Sequence, residues 1–98
     1  MKPPTPFDLL SDIHTLKSEL TRFEEKYGLL TETFYAWYLE GNEPENDAWV
    51  MDFSEWAGLY KSLQILTDQY NELLKKQLRR DKRAIVRQFQ SHAPISPA

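Results

Sequence analysis

Apolar residues recur every three or four positions along the first thirty residues, which is the spacing of one face of an α-helix. Thr5, Pro6 and Asp8 mark its start, because Thr caps a helix, Pro suits the first helical position and Asp is favoured near the positive end. Gly28 is the predicted C-cap, since glycine adopts a left-handed backbone at no steric cost. We predict a first helix with this buried stripe: Leu9, Ile13, Leu16, Leu20, Phe23, Tyr27 and Leu30.

A shorter aromatic segment follows, with Thr31 as its predicted N-cap and Gly41 as its end. Its large apolar residues fall on nearly every face of a helix, so this second helix needs neighbours on more than one side. They are Phe34, Tyr35, Trp37, Tyr38 and Leu39. The next residues, 42–47, are polar and acidic, and Pro44 blocks a helical continuation there.

The longest apolar pattern begins after Asn46 or Asp47, either of which can cap a third helix. A second row, Leu59, Leu66 and Leu73, widens its stripe beyond what a two-stranded coiled coil needs. We therefore expect this helix to contact a third element or another chain besides the first helix. The stripe itself comprises Trp49, Phe53, Trp56, Tyr60, Leu63, Thr67, Tyr70 and Leu74.

These patterns predict an all-α fold: a helical hairpin of two long amphipathic helices, with a short aromatic helix between them. We divide the chain into an N-terminal arm (1–5), the hairpin domain (6–74) and a basic C-terminal extension (75–98). Helical spacing continues to about Phe89, and we expect the end of the extension, which contains two prolines, to be loosely ordered.

Charge is unevenly distributed along the chain. Residues 1–74 hold 5 basic and 14 acidic side chains, whereas residues 75–98 hold 7 basic and 1 acidic. The acidic residues cluster around the loop: Glu40, Glu43, Glu45, Asp47, Asp52 and Glu55. An acidic body with a basic extension favours contacts with charged partners.

Composition excludes several classes of function. Without cysteine there is no disulfide framework or thiol nucleophile, and no long apolar run could span a bilayer. His14 lies beside the apolar stripe with no metal ligand at helical spacing, and His92 lies near the end of the chain. We expect a cytoplasmic protein that is not an enzyme, binds no metal or cofactor and does not enter membranes.

Two groups of residues are candidates for partner binding. The first is aromatic, because the third helix carries more large rings than a two-helix seam covers; it comprises Trp37, Trp49, Phe53 and Trp56. The second is the set of arginines in the basic extension: Arg79, Arg80, Arg83 and Arg87. Residues 75–87 could bind nucleic-acid phosphates or acidic protein groups, or simply form a solvated helix end.

Three stretches carry a family resemblance: FEEKYGL at 23–29, TETF at 31–34 and DFSEWAGLY at 52–60, with Glu40-Gly41 between the last two. This pattern, over about residues 20–65, resembles small prokaryotic antitoxins of two-gene toxin–antitoxin modules, whose neighbouring gene encodes a small ribonuclease-like toxin. The longer loop with Pro44, the residues 49–51 and the basic extension depart from the pattern. The resemblance implies neutralisation of a cognate toxin by occlusion, without a catalytic residue.

Two mechanisms fit such an antitoxin: the acidic body imitates RNA on a basic toxin, or the arginines pair with acidic residues of a nuclease site. The charge of the extension slightly favours the second mechanism. Two other functions stay open on the sequence: a helical structural module that self-associates into homo-oligomers, and a small nucleic-acid-associated protein acting through its basic extension.

Overall fold

Three α-helices and one 3₁₀ turn make up most of residues 4–80, the part of the chain that this computed structural model describes. No strand occurs within residues 4–80, so the predicted all-α fold class is confirmed. The elements, in chain order, are α1 (Pro6–Tyr27), α2 (Thr31–Leu39), the 3₁₀ turn (Asp47–Trp49) and α3 (Val50–Arg80).

Helix α1 has the ends that its sequence predicts. The Thr5 hydroxyl accepts from the Asp8 backbone N–H at 3.1 Å, and the Asp8 carboxylate accepts from the Thr5 N–H at 3.2 Å. This reciprocal box satisfies two backbone donors that the helix leaves free. At the other end Gly28 has a φ of 70° and donates its N–H to the Glu24 carbonyl, which turns the chain out of the helix.

Helices α1 and α3 run antiparallel and form the longest contact in the fold. The Tyr27 ring, at the end of α1, lies 6.3 Å from the Trp49 ring just before α3, while Leu9 and Leu73 line one depression near the opposite end. The predicted stripe of α1 supplies Leu9, Ile13, Leu20 and Phe23 to the core. Leu30, predicted at the end of that stripe, is 69% exposed because α1 stops at Gly28.

The core is centred on Trp56, which is 0% exposed. Its ring stacks on Phe34 of α2 at 3.9 Å between centroids and on Phe23 of α1 at 5.7 Å. Aromatic pairs of this kind add roughly 0.5–1.5 kcal/mol beyond the burial of their apolar area. All three helices therefore meet at one indole ring.

Thr31 has a different role from the predicted N-cap. The cap position belongs to Leu30, which makes no side-chain capping bond, and Thr31 is the first residue of α2. Its buried hydroxyl accepts the indole N–H of Trp56 at 3.0 Å. The capping group comes instead from α1, where the Glu24 carboxylate accepts the Thr31 backbone N–H at 2.7 Å.

A second polar connection joins the end of α1 to the start of α3. The Asp52 carboxylate accepts hydrogen bonds from the Lys26 ammonium at 2.6 Å and from the Tyr27 hydroxyl at 2.5 Å. The bond from Lys26, followed by that from Tyr27, lowers the pKa of Asp52 below its ordinary value of 3.8. The pKa of Tyr27 is raised, first because burial disfavours the phenolate and then because the protonated hydroxyl donates a hydrogen bond to Asp52.

The basic extension is described only at its beginning. Residues 75–80 continue α3 without a break, and Lys75 lies 3.6 Å from Glu72, one turn earlier. The N-terminal arm is described from Pro4 onward. The rest of the extension, with the predicted helical spacing to Phe89, lies outside the described residues.

Removing the Thr31 hydroxyl tests the buried bond. Thr31→Val leaves the Trp56 indole N–H without a partner in the core, so we expect the free energy of unfolding to fall by about 1–3 kcal/mol in urea titrations. In a Trp56→Phe background there is no indole N–H to be left without a partner, so Thr31→Val should lower the free energy of unfolding clearly less. Thr33→Val, at an exposed position of α2, is the matched control. Equal costs in both backgrounds would contradict this role for the bond.

Acid titration tests the Asp52 connection. Because its pKa is lowered on folding, ionised Asp52 contributes stability at pH values above about 4, and this contribution is lost as pH falls through the lowered pKa. Asp52→Asn is therefore expected to unfold at a lower temperature than the wild type at neutral pH. The difference in melting temperature, followed by circular dichroism, narrows as the pH falls through the lowered pKa of Asp52. A gap that persists unchanged into acid would rule out an ionised Asp52 as its source.

Candidate partner-binding groove

A groove of about 580 Å³ lies between α2, the acidic loop and the start of α3. Its inner surface is apolar and includes the buried rings of Phe34 and Phe53. Carboxylates of Glu43 and Glu45 stand on the loop side. The complete lining is Leu29, Thr33, Phe34, Trp37, Asn42, Glu43, Pro44, Glu45, Trp49 and Phe53.

Local hydrogen bonds hold the loop side of the groove in place. Gly41, with a φ of 88°, donates its N–H to the Tyr38 carbonyl and turns the chain away from α2. The Asn42 side-chain amide donates to the Trp37 carbonyl at 2.8 Å. At the far end the Asn46 side-chain oxygen accepts the Ala48 N–H at 2.8 Å and caps the 3₁₀ turn. The sequence predicts this cap for the third helix itself, but α3 begins only at Val50, after that turn.

Trp37 and Trp49 stand at the two sides of the groove, with Phe53 between them. The Trp37 ring meets Phe53 edge-on at 5.9 Å, and the Trp49 ring stacks on Phe53 at 6.4 Å. The two tryptophans keep 37% and 43% of their surface exposed. Large rings that are fixed on one side and open on the other are typical of binding hot spots, since little conformational entropy is lost when a partner covers them.

The four aromatic candidates therefore divide between surface and core. Trp56 is wholly buried against α1 and α2, so its assignment as a partner-binding residue is corrected: it is the centre of the core. Phe53 is 8% exposed, lines the groove and contacts the rings of both other tryptophans. Trp37 and Trp49 offer most of the surface that this group exposes.

The electrostatic environment of the groove is acidic. Between Lys26 and Lys61 the chain has no basic residue and seven acidic ones, and none of the residues that line the groove is basic. Lys26, the nearest cation in sequence, is occupied by Asp52. A partner that reaches this end of the molecule therefore meets apolar rings within a field of negative charge.

The arginine candidates lie elsewhere. Arg79 and Arg80 are exposed in the last turn of α3. The first residue of α3, Val50, lies next to the groove, and a helical rise of 1.5 Å per residue places Arg80 about 45 Å away from it along the helix axis. Arg83 and Arg87 lie outside the described residues. The aromatic and the basic candidates thus form no common site within residues 4–80.

Sequence patterns missed part of this groove. Leu29, Asn42 and Pro44 line it, yet they lie in connections where helical spacing gives no information. Pro44 could have been singled out from the sequence, because a proline within the acidic loop fixes the backbone there. In the described part of the chain, no group of three or more His, Asp or Glu side chains could hold a metal ion.

In comparisons with known proteins, no family model, curated protein or solved structure matches this chain. Within residues 4–80, no helix is both long enough and apolar enough to cross a membrane. The groove offers aromatic surface and carboxylates to a partner.

Proposed function

We propose that this chain is a non-catalytic protein-binding module that neutralises a small toxin by covering a basic part of the toxin's surface. The observation that carries the proposal is the pair of half-exposed tryptophans, Trp37 and Trp49, at the sides of a groove whose lining within residues 4–80 contains no basic residue. The packing of the core does not require these two rings to be exposed, whereas residues that anchor an interface must be exposed in the free protein.

Affinity and association rate have separate sources in this surface. The tryptophans and the apolar groove between them supply apolar area that a partner removes from water, at about 25 cal/mol per Å² before the costs of association. The carboxylates of Glu43 and Glu45 attract a basic partner during approach and exclude an acidic one. A basic protein with one bulky apolar side chain at its contact surface matches both properties.

The resemblance of residues 20–65 to antitoxins supplies the biological setting. Ribonucleases bind a polyanion, so their substrate surfaces are basic, and an acidic module that covers such a surface blocks RNA without any chemistry. Arg79 and Arg80 allow a second contact, in which cations at the end of α3 pair with acidic residues of the same toxin. We propose the groove as the main contact with the toxin, because its aromatic residues are held in place by the core.

Co-expression with the product of the neighbouring gene, where the proposal expects a cognate toxin, tests the proposal. We expect wild-type protein to restore growth and to co-purify with the toxin. The double variant Trp37→Ala/Trp49→Ala should lose both effects, because truncating hot-spot residues weakens binding by about 2 kcal/mol or more, roughly 30-fold. Leu39→Ala, at an exposed apolar position that does not line the groove, is the matched control. Rescue by the tryptophan double variant, with its helical content intact, would exclude the groove as the contact.

Charge reversal at the loop tests the role of the carboxylates. Glu43→Lys/Glu45→Lys should slow association with the purified toxin roughly tenfold at low salt, and the difference should shrink as salt screens the charges. Glu25→Lys, which makes the same change at an exposed position of α1 outside the groove, should have a much smaller effect. Stopped-flow fluorescence of the tryptophans measures the rate. An unchanged association rate in the loop variant would show that the carboxylates do not steer the toxin.

A further inference from the structure

One face of α3 is exposed along the length of the helix, and near its C-terminal end Gln69, Glu72 and Lys76 also line a depression shared with Leu9 of α1. Its residues are spaced by four and three positions, as along a coiled-coil seam, and every one of them is exposed. We call this face the outer stripe; it consists of Met51, Glu55, Gly58, Ser62, Ile65, Gln69, Glu72, Lys76 and Arg79. None of these residues lines the groove.

The outer stripe is apolar at its midpoint. Ile65, which lies halfway between Val50 and Arg80, is 50% exposed. The residues before it are small, since Gly58 and Ser62 leave room, and a Cβ atom added at Gly58 would meet nothing within 4 Å. The residues after it, Gln69 and Glu72, are long.

Reversal of the stripe about Ile65 makes it complementary to itself. In an antiparallel pair of α3 helices centred on this residue, Gly58 of one copy opposes Glu72 of the other, so a small residue faces a long one. Glu55 opposes Lys76 and the two Ile65 side chains meet on the two-fold axis. Each contact away from the axis occurs twice, as an isologous interface requires. A parallel pair would instead place Glu55 beside Glu55 and Lys76 beside Lys76.

We propose that the outer stripe is the interface of an antiparallel homodimer whose two-fold axis passes beside Ile65. The charge separation of the helix supports this partner: Glu55 belongs to the acidic end of α3, and Lys76, Arg79 and Arg80 form its basic end. Small residues at the stripe permit the axis-to-axis distance of about 8–10 Å that packed helices adopt. The outer stripe has no residue in common with the groove, so the dimer can be tested separately from the proposed toxin contact at the groove.

The interface combines one apolar pair with exposed charge pairs, which predicts a weak and salt-sensitive dimer. We expect a dissociation constant on the order of tens of micromolar for the full chain at low salt in analytical ultracentrifugation. Glu55→Lys or Lys76→Glu alone should raise this constant roughly tenfold, because two like-charge contacts replace two opposite ones. The double variant Glu55→Lys/Lys76→Glu should return it to near the wild-type value.

Cross-linking tests the register directly, because the chain contains no cysteine and a single introduced thiol reports one position. With a short bis-maleimide, Ile65→Cys should give a covalent dimer. Asn71→Cys, exposed on another face of α3, should not. Met51→Cys alone should also fail, whereas Met51→Cys/Arg79→Cys should succeed, since only an antiparallel pair brings these two positions together.

Each alternative result overturns the proposal. A monomer throughout the micromolar range, or equal cross-linking at positions 65 and 71, excludes the outer stripe as an interface. Cross-linking of Met51→Cys alone would indicate a parallel dimer. Loss of dimerisation without loss of toxin neutralisation, or the reverse, separates this inference from the proposed function.

Discussion

The position of the short helix depends on the burial of the Trp56 indole. A buried N–H without a partner costs about 1–3 kcal/mol, and the acceptor at hydrogen-bond distance here is the Thr31 hydroxyl at the start of α2. The same helix supplies Phe34, whose ring covers the indole at 3.9 Å. Once Trp56 of α3 packs against α1, α2 is therefore held in one place by both a polar and an apolar contact, and the Glu24 carboxylate of α1 fixes its first turn.

The groove is a consequence of that packing. Phe53 contacts the core with one edge, through Phe34 at 5.1 Å, and carries Trp37 and Trp49 on its outer side. Because α2 ends at Leu39, no helix continues over these rings, and the loop passes beside them rather than across them. The surface that we assign to binding thus rests on the same ring that closes the core. Stability and recognition share Phe53, which makes it a poor position for separating the two by mutation.

Local patterns predicted what local chemistry determines. The capping box at Thr5, the left-handed Gly28 and the buried stripe of α1 each depend on residues within one or two turns, so helical spacing was sufficient for them. Thr31 was predicted as an N-cap, and local patterns could not show its actual role because its partner, the Trp56 indole, lies 25 positions away in the sequence. Trp49 and Trp56 were indistinguishable, since they occupy the same stripe seven residues apart. Which of them is exposed depends on where α2 ends in space, and no spacing along α3 contains that information.

Charge separation connects the two surfaces that we propose. Within residues 4–80, Asp52 at the acidic end is paired with Lys26, while the loop carboxylates Glu43 and Glu45 have no cation among the described residues of the groove. The acidic end therefore retains most of its negative field. In an antiparallel pair, the basic end of one α3 approaches the acidic end of the other and weakens the field that a basic toxin encounters. Self-association and toxin binding at the groove then oppose each other through electrostatics, although the outer stripe and the groove have no residue in common. Because the dimer is weak, the monomer dominates at low concentration, where the acidic groove attracts a basic partner most strongly.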